Sequence, residues 1–142
     1  MINNLGRLIS ILYRKGNIYK NIILDDFNIT ASEQPFLSSL FNEDGVSQEY
    51  LSSKLLLDKA STTRSLQSLI DKGYIKKKKD ENDKRINRIF LTEKSKSIEK
   101  EIKARLENWN DILTSDLNES EKEMAYLILN KMVNNLNSCK NK

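Results

Sequence analysis

Apolar residues recur every three or four positions over most of this chain, the spacing that places side chains on one face of an α-helix. The first such stripe lies between residues 2 and 24, and its members are Ile2, Leu5, Leu8, Ile9, Leu12, Tyr19, Ile22 and Ile23. Only four glycines and one proline interrupt the 142 residues. This scarcity favours a mainly helical fold over a turn-rich β fold.

Thr30 and Glu33 predict the start of a second helix, because a Thr hydroxyl and a Glu carboxylate at this spacing can satisfy free amides of the first turn. Pro35 lies close enough to that start to be tolerated. The predicted buried face consists of Phe36, Leu37, Leu40 and Phe41.

Two short helices should follow. Ser47 is the predicted N-cap of a third helix over 48–56, and Asp58 is the predicted N-cap of a fourth over 59–72. Gly73 suits the left-handed residue that ends a helix. Two short helices joined by a tight connection predict a helix–turn–helix.

Beyond Gly73 the apolar spacing changes to the alternation of a β-hairpin. One strand begins at Tyr74 and continues through the lysines, a polar tip covers 80–84, and the second strand covers 86–91. On the second strand, the side chains that alternate are Ile89 and Leu91 against Arg88 and Phe90. A hairpin in this place is a wing, so we predict a winged helix–turn–helix lobe over 31–92.

Helical spacing returns after the hairpin. Thr92 should cap a long helix over 93–116, and the segment 118–121 carries the capping signal of a last helix. The tail 137–142 is predicted to be frayed.

We therefore predict one domain over residues 1–142, mainly α with a small β-hairpin wing. Its winged helix–turn–helix is flanked by N- and C-terminal helices over 1–29 plus 93–142. Their apolar stripes fit either an ordinary core or packing against a second subunit.

Charge is concentrated on the predicted helix–turn–helix and wing. Residues 54–88 contain eleven Lys or Arg and five Asp or Glu, a net charge of +6, whereas the whole chain carries +4 and the remainder therefore −2. A basic centre of this kind indicates a local polyanion-binding surface. On charge alone, a solvated lysine-rich face explains it equally well.

The fourth helix has an unusual outer face for a surface helix. Its predicted core positions are Thr62, Leu66, Leu69 and Ile70. Its predicted outer positions, at helical spacing, are Ser61, Arg64, Ser65 and Ser68. Short side chains let a helix approach base edges, and Arg64 can make the bidentate contact with guanine O6 and N7. A serine-rich solvent face without a partner is the alternative.

The wing offers two kinds of contact. The lysines at 76–79 alternate sides of a strand and suit phosphate neutralisation. Arg85 suits a narrow A·T-rich minor groove, and Asp83 can hold its guanidinium in a fixed geometry. A surface ion pair of little energetic value is the alternative.

Several classes of protein are disfavoured. The chain has no histidine, no nucleophile paired with a base and no phosphate-binding glycine loop, so an enzyme is not expected. No metal site and no cofactor are expected. Cys139 stands alone, so an internal disulfide is excluded and we interpret the thiol as incidental. The sequence contains neither a signal-peptide pattern nor a membrane span, which predicts a cytoplasmic protein without membrane contact.

Residues 47–92 resemble the winged-helix core of the MarR family, the multiple-antibiotic-resistance regulators. The resemblance rests on LSSKLLLDKASTTRSLQSLIDKGYI and DKRINRIFLT, with the wing pattern matched by Asp83, Arg85, Leu91 and Thr92. One flanking helix before this core and two after it extend the resemblance over nearly the whole chain.

The resemblance implies a homodimer on a pseudo-palindromic operator of double-stranded DNA, acting as a transcriptional repressor that a small-molecule effector releases. On this interpretation the residues that contact DNA are Ser47, Gln48, Lys59, Ser61, Thr62, Arg64, Ser65, Ser68, Lys77, Asp83, Lys84 and Arg85.

An effector pocket is only weakly indicated. Its candidate residues are Tyr13, Tyr19, Phe36 and Trp109, for which core or dimer packing is the alternative. By analogy with the family, the effector would be an organic molecule such as an aromatic acid. The competing functions are a winged-helix protein-interaction module and an architectural nucleic-acid binder without a ligand response.

Overall fold

The computed structural model describes residues 4–139, so Ile2 and the last three residues of the predicted tail lie outside it. The described helices are α1 (Leu5–Ile23), α2 (Gln34–Asn42), α3 (Gln48–Leu55), α4 (Lys59–Asp71), α5 (Glu93–Leu113) and α6 (Glu119–Cys139). Two strands, β1 (Ile75–Lys79) and β2 (Asn87–Leu91), form an antiparallel hairpin. The predicted fold class is confirmed. The chain divides into two compact units after Leu106.

Asn4 caps the start of α1, because its side-chain oxygen accepts the Arg7 amide at 2.9 Å. The helix ends before the buried Leu24. A 3₁₀ turn over Asp25–Phe27 follows, and Asn28 leaves it in the left-handed conformation at φ +58°. The sequence pattern did not predict this turn.

The capping box ahead of α2 is confirmed. The Thr30 amide donates to the Glu33 carboxylate at 2.8 Å, and the Glu33 amide donates to the Thr30 hydroxyl at 3.3 Å. Regular helix begins only at Gln34. The delay has a chemical reason, since Pro35 has no N–H to donate to the carbonyl of residue 31.

The two helices of the helix–turn–helix begin at their predicted caps. The Ser47 hydroxyl accepts the Tyr50 amide at 3.1 Å, and the Asp58 carboxylate accepts the Ser61 amide at 2.6 Å. α3 ends one residue earlier than predicted, because Leu56 adopts the left-handed conformation at φ +55°.

Gly73 ends α4 as predicted, at φ +81°. The Tyr74 amide reaches back to the Leu69 carbonyl at 2.9 Å, which satisfies a carbonyl at the helix end.

The hairpin pairs Ile75 with Leu91 and Lys77 with Ile89. The second strand starts one residue later than predicted, because the Ile86 amide donates to the Asp83 carbonyl and so belongs to the tip. Ile89 and Leu91 are buried as the alternation predicts. The wing is therefore anchored by one apolar side of β2.

One apolar core holds the winged lobe together. Its buried members include Phe36, Leu37, Leu40, Leu51, Leu66, Leu69, Tyr74, Ile75, Ile89, Leu91 and Ile102. They come from α2, α3, α4, the hairpin and α5. The four predicted core positions of α4 lie in or against this core, with Ile70 partly buried.

The predicted caps of the last two helices are also confirmed. The Ser95 amide donates to the Thr92 hydroxyl at 3.5 Å, and the Thr92 amide donates to the Ser95 hydroxyl at 3.1 Å. Asn118 and Glu121 exchange bonds of 3.0 and 2.9 Å. α5 ends at Leu113, three residues before its predicted end. α6 continues to Cys139, so the predicted fraying of 137–139 is wrong.

Large apolar side chains are exposed in greatest number on α1 and α6. On α1 they are Leu5, Leu8, Ile9, Leu12, Tyr13, Ile18 and Ile22, and on α6 they are Met124, Tyr126, Leu127, Ile128, Leu129, Val133 and Leu136. Apolar stripes of this size are typical of association surfaces. Among residues 4–139, no helix is both long and apolar enough to cross a membrane.

Candidate nucleic-acid interface

The exposed line of α4 differs in phase from the predicted one. Exposed side chains recur at Ala60, Thr63, Arg64 and Gln67, which are spaced as one helical face. Only Arg64 belongs to both lines. The side chains that α4 presents outward therefore include Thr63 and Gln67, which the sequence interpretation did not select.

Arg64 lies in the second turn of α4 and is exposed. Its guanidinium donates to the Ser61 hydroxyl at 3.2 Å, a bond within the helix that leaves further N–H groups pointing to solvent.

The structure contradicts the predicted DNA contact of Thr62. Its side chain is 0% exposed, and its hydroxyl oxygen accepts the Ser52 hydroxyl at 2.9 Å. Thr62 is on the same face of α4 as Leu66 and Leu69, so the helical register turns it into the core. It cannot contact DNA and instead links α4 to α3.

The predicted DNA contact of Ser68 is also contradicted. Its hydroxyl donates to Glu33 at 2.5 Å across the junction of α4 with the start of α2. Ser61 and Ser65 are half-buried and line a shallow groove beside this junction. The predicted serine line therefore faces the capping loop of α2, and Ser68 is a structural residue.

Glu33 joins this junction to the end of α4. The carboxylate is only 2% exposed, and Lys72 donates to both of its oxygens, at 2.8 and 2.9 Å. Lys72 also donates to the Asn28 carbonyl at 2.7 Å. Burial raises the pKa of Glu33, but hydrogen bonds from Lys72 and Ser68 outweigh burial, and the pKa lies below its ordinary value. The position of α4 is thus fixed at its C-terminal end.

A cleft of about 800 Å³ separates the start of α4 from the wing. Its lining residues include Ser47, Gln48, Ser52, Lys59, Thr63, Asp83 and Arg85. Within it the Gln48 side-chain amide donates to the Thr63 hydroxyl at 3.1 Å. Five predicted contacts therefore lie around this cleft, namely Ser47, Gln48, Lys59, Asp83 and Arg85. Arg64 instead lines the shallow groove with Ser61, Ser65 and Ser68.

On the wing, Asp83 holds Arg85 as predicted. The guanidinium donates to both carboxylate oxygens, at 3.0 and 2.9 Å, and the Arg85 amide adds a third bond at 3.0 Å. The Arg85 hydrogen bond holds the pKa of Asp83 below its ordinary value. The Arg85 side chain is 90% exposed, so it is at once oriented and accessible.

A second ion pair, which the sequence interpretation missed, braces the hairpin tip. Arg88 donates to Asp80 at 2.5 Å and to the Gly45 carbonyl at 3.2 Å. Asp80 also accepts the amides of Asn82 and Asp83, each at 3.0 Å. The sequence signal for this pair was an acid at the start of the tip, Asp80, followed by an arginine on the second strand, Arg88.

The wing lysines are all exposed. Lys77 on β1 pairs with Ile89 on β2, and Lys84 is exposed at the tip. The ammonium nitrogen of Lys78 lies 5.7 Å from the centre of the Phe90 ring. These positions leave the ammonium groups free to meet phosphates.

The effector candidates differ in burial and in their place in the fold. Phe36 is fully buried in the core, whereas Tyr13 is 70% exposed on α1. Tyr19 is half-buried on α1, and Trp109 belongs to the second unit. Over residues 4–139, no group of three or more His, Cys, Asp or Glu is arranged to hold a metal ion.

A helix–turn–helix followed by a basic, braced hairpin defines a winged helix–turn–helix regulator, and comparison with known proteins agrees. The sequence model of the MarR family matches residues 29–86. A MarR transcriptional regulator from Methanosarcina mazei is 38% identical, with 94% of this chain and 96% of that chain covered and a TM-score of 0.85. The chain belongs to the MarR family of transcriptional regulators.

Two further relatives cover most of the chain. The HTH-type transcriptional regulator YybA of Bacillus subtilis is 26% identical over 135 residues, which are 95% of this chain and 90% of the relative. A MarR-family regulator of Listeria monocytogenes, solved in complex with a 26mer DNA, is 26% identical with a TM-score of 0.88, covering 95% of this chain and 90% of that chain.

Proposed function

We propose that this chain regulates transcription by binding double-stranded DNA sequence-specifically through its winged lobe. α4 would enter the major groove with Arg64 on a guanine, and Arg85 on the wing would enter the adjacent minor groove. The observation that carries the proposal is the pair of exposed arginines, one on the helix and one held by Asp83 on the wing. The Listeria relative solved with DNA supports the same use of the fold.

Charge supports the same reading. The net charge of +6 over residues 54–88 covers the helix–turn–helix and the wing, and its lysines suit phosphates. Binding should therefore weaken steeply with salt, because each neutralised phosphate releases counterions. An acidic protein partner would also show salt dependence, but it would not distinguish between DNA sequences.

Selection of bound sequences from a random DNA pool, followed by titration of variants, tests the proposal. Arg64→Ala should reduce discrimination between the selected site and its single-base variants, at a cost of about 1–3 kcal/mol on the preferred base. Lys77→Ala should weaken all DNA alike and reduce the salt slope by about one. Equal losses for both variants on every sequence would remove the base-reading role of Arg64.

We further propose a homodimer. The exposed apolar side chains of α1 and α6 support it, because a monomer would leave them in water. In this proposal the lobe over 31–92 binds DNA, and the helices over 1–29 plus 93–142 form the dimer. Two lobes related by a two-fold axis require a pseudo-palindromic operator with half-sites about one helical turn apart.

The mode of regulation is proposed by analogy with the MarR family. We propose a repressor that leaves its operator when a small organic effector binds, in the cytoplasm where the chromosome is accessible. Effector release should appear as a loss of operator affinity in the presence of the effector, and the dimer should persist. Titration of the complex with benzoate and related aromatic acids, followed by fluorescence anisotropy and sedimentation, is the direct test.

A further inference from the structure

Thr63 carries a hydroxyl on the exposed face of α4 that also includes Arg64 and Gln67. It is exposed, immediately precedes Arg64, and lies in the second turn of the helix. The N-terminal residues of a recognition helix are those that contact base edges in a helix–turn–helix complex. Thr63 is therefore placed where a base contact is expected.

The serines of α4 are placed differently. Ser68 donates to the buried Glu33, and Ser61 both donates to Asp58 at 3.0 Å and accepts from Arg64 at 3.2 Å. Ser65 lies in the groove beside Glu33. Their hydroxyls are committed to, or turned toward, other parts of the lobe. Among these hydroxyls, Thr63 is the one on the line that α4 presents outward.

Gln48 gives that hydroxyl a direction. Its amide nitrogen, on the first turn of α3, donates to the Thr63 oxygen at 3.1 Å. A hydroxyl has one proton to donate and lone pairs to accept. Because the Gln48 N–H occupies an acceptor position, the Thr63 proton remains for an acceptor outside the protein. In the major groove such acceptors are guanine N7 and O6, adenine N7 and thymine O4.

We infer that Thr63 is a specificity-determining residue that donates its hydroxyl proton to a base acceptor in the major groove, and that Gln48 is the positioning residue that orients it. The inference rests on the proposed function, since it names a reader within the same interface. It changes the predicted role of Gln48, from a direct DNA contact to a residue that acts through Thr63.

The test compares binding preferences of the full-length protein and its variants. Thr63→Val keeps the shape and removes the hydroxyl, whereas Thr63→Ser keeps the hydroxyl. We expect Thr63→Val to flatten the preference at one base pair in each half-site by roughly two- to tenfold, the value of one hydrogen bond. Thr63→Ser should retain that preference. Ser97→Ala, which removes an exposed hydroxyl from α5, is the control and should leave all preferences unchanged.

A double-mutant cycle tests the positioning role. Gln48→Ala should weaken the preference at the same base pair as Thr63→Val, and it should have no further effect on that preference once Thr63 is Val. A merely structural role would instead alter all positions and the melting temperature. Circular dichroism of each variant provides that check.

The outcomes separate the two proposals. If the wild-type protein selects no sequence, the proposed function fails and this inference fails with it. If the wild type selects a sequence but Thr63→Val keeps every preference, or Ser97→Ala changes the same base pair, Thr63 is not the reader and the proposed function stands. Independent, additive losses for the Gln48 and Thr63 variants would overturn the role of Gln48.

Discussion

Glu33 combines two properties that seldom coincide in one side chain. It is nearly fully buried, and it is ionised because Lys72, Ser68 and the Thr30 amide all donate to it. Burial of a charge is unfavourable unless hydrogen bonds and an opposite charge compensate. The residue therefore stabilises the fold only as a carboxylate within this set of donors.

Glu33→Gln should lower the free energy of unfolding at neutral pH by about 1–3 kcal/mol, because the variant removes charge-assisted hydrogen bonds and leaves Lys72 without its counter-charge. Urea denaturation measures the change. Glu81→Gln, at the exposed wing tip, is the matched control and should have no comparable effect. A wild-type-like Glu33→Gln would show that the network does not stabilise the lobe.

The same residue predicts a pH dependence. Since the folded-state pKa of Glu33 is lowered below its ordinary value of 4.5, its stabilisation is complete above about pH 4.5 and is lost as the pH falls through the folded-state pKa. Unfolding free energies measured between neutral pH and pH 3 should fall less in Glu33→Gln than in the wild type. Parallel curves would contradict the assignment.

The proposed minor-groove contact of Arg85 is also tested at the residue scale. Narrow A·T-rich minor grooves concentrate negative potential, so Arg85→Ala should reduce affinity most for operators with A·T-rich flanks. Anisotropy titrations on two operators that differ only in these flanks measure the effect. Lys84→Ala, its exposed neighbour, should weaken both operators alike. A loss that is independent of flank composition would remove the minor-groove role.

At the scale of the element, the end of α4 depends on the backbone conformation of one residue. Gly73 has φ +81°, and a Cβ there would meet only the Lys94 side chain, at 3.8 Å. Strain and not crowding should therefore decide the effect of Gly73→Ala, which we expect to destabilise the lobe by about 1–2 kcal/mol.

Gly73→Asn tests that explanation, because asparagine tolerates the left-handed region better than alanine. Thermal and urea denaturation should rank wild type, Gly73→Asn and Gly73→Ala in decreasing order of stability. Equal destabilisation by both substitutions would indicate that lost space, and not backbone strain, matters at this position.

Elements whose signals are local could be predicted from the sequence. The caps at Ser47, Asp58 and Asn118 and the stop at Gly73 involve residues within four positions, so pattern and structure agree. Asp83 and Arg85 are two residues apart, and their pairing was predicted for the same reason.

Contacts between distant elements could not be predicted in this way. The predicted serine line of α4 takes no account of Glu33, which lies 35 residues before Ser68. Gln48 and Thr63 are 15 residues apart, so their bond requires the packing of α3 on α4. The register of α4 depends on which face is buried, and a helix with several small polar residues leaves that choice ambiguous.

At the scale of the whole molecule, the apolar stripe of α1 predicts the association state. Leu8→Glu should yield monomers at concentrations where the wild type is a dimer, since a buried charge without a partner opposes association. Sedimentation velocity distinguishes the two masses. The variant should also lose affinity for a two-half-site operator, because a monomer forms only half of the contacts.

Ser10→Glu introduces the same charge on the exposed surface of α1, away from the stripe, and should leave the dimer intact. Dimers in both variants would contradict the assignment of α1 to the interface. Monomers in both would indicate that charge, and not the apolar stripe, controls association.

The bracing of the wing has a consequence for operators. Arg88 ties the tip to Asp80 and to the Gly45 carbonyl, and a β-bridge joins Arg88 to Ser47 at the start of α3. The offset between Arg64 and Arg85 is then a property of the lobe and not of the DNA. One inserted base pair displaces a groove by about 3.4 Å and rotates it by about 35°. With the proposed contacts of Arg64 and Arg85, we expect operator sequences to vary freely between the two contacts while the helical phase stays constant.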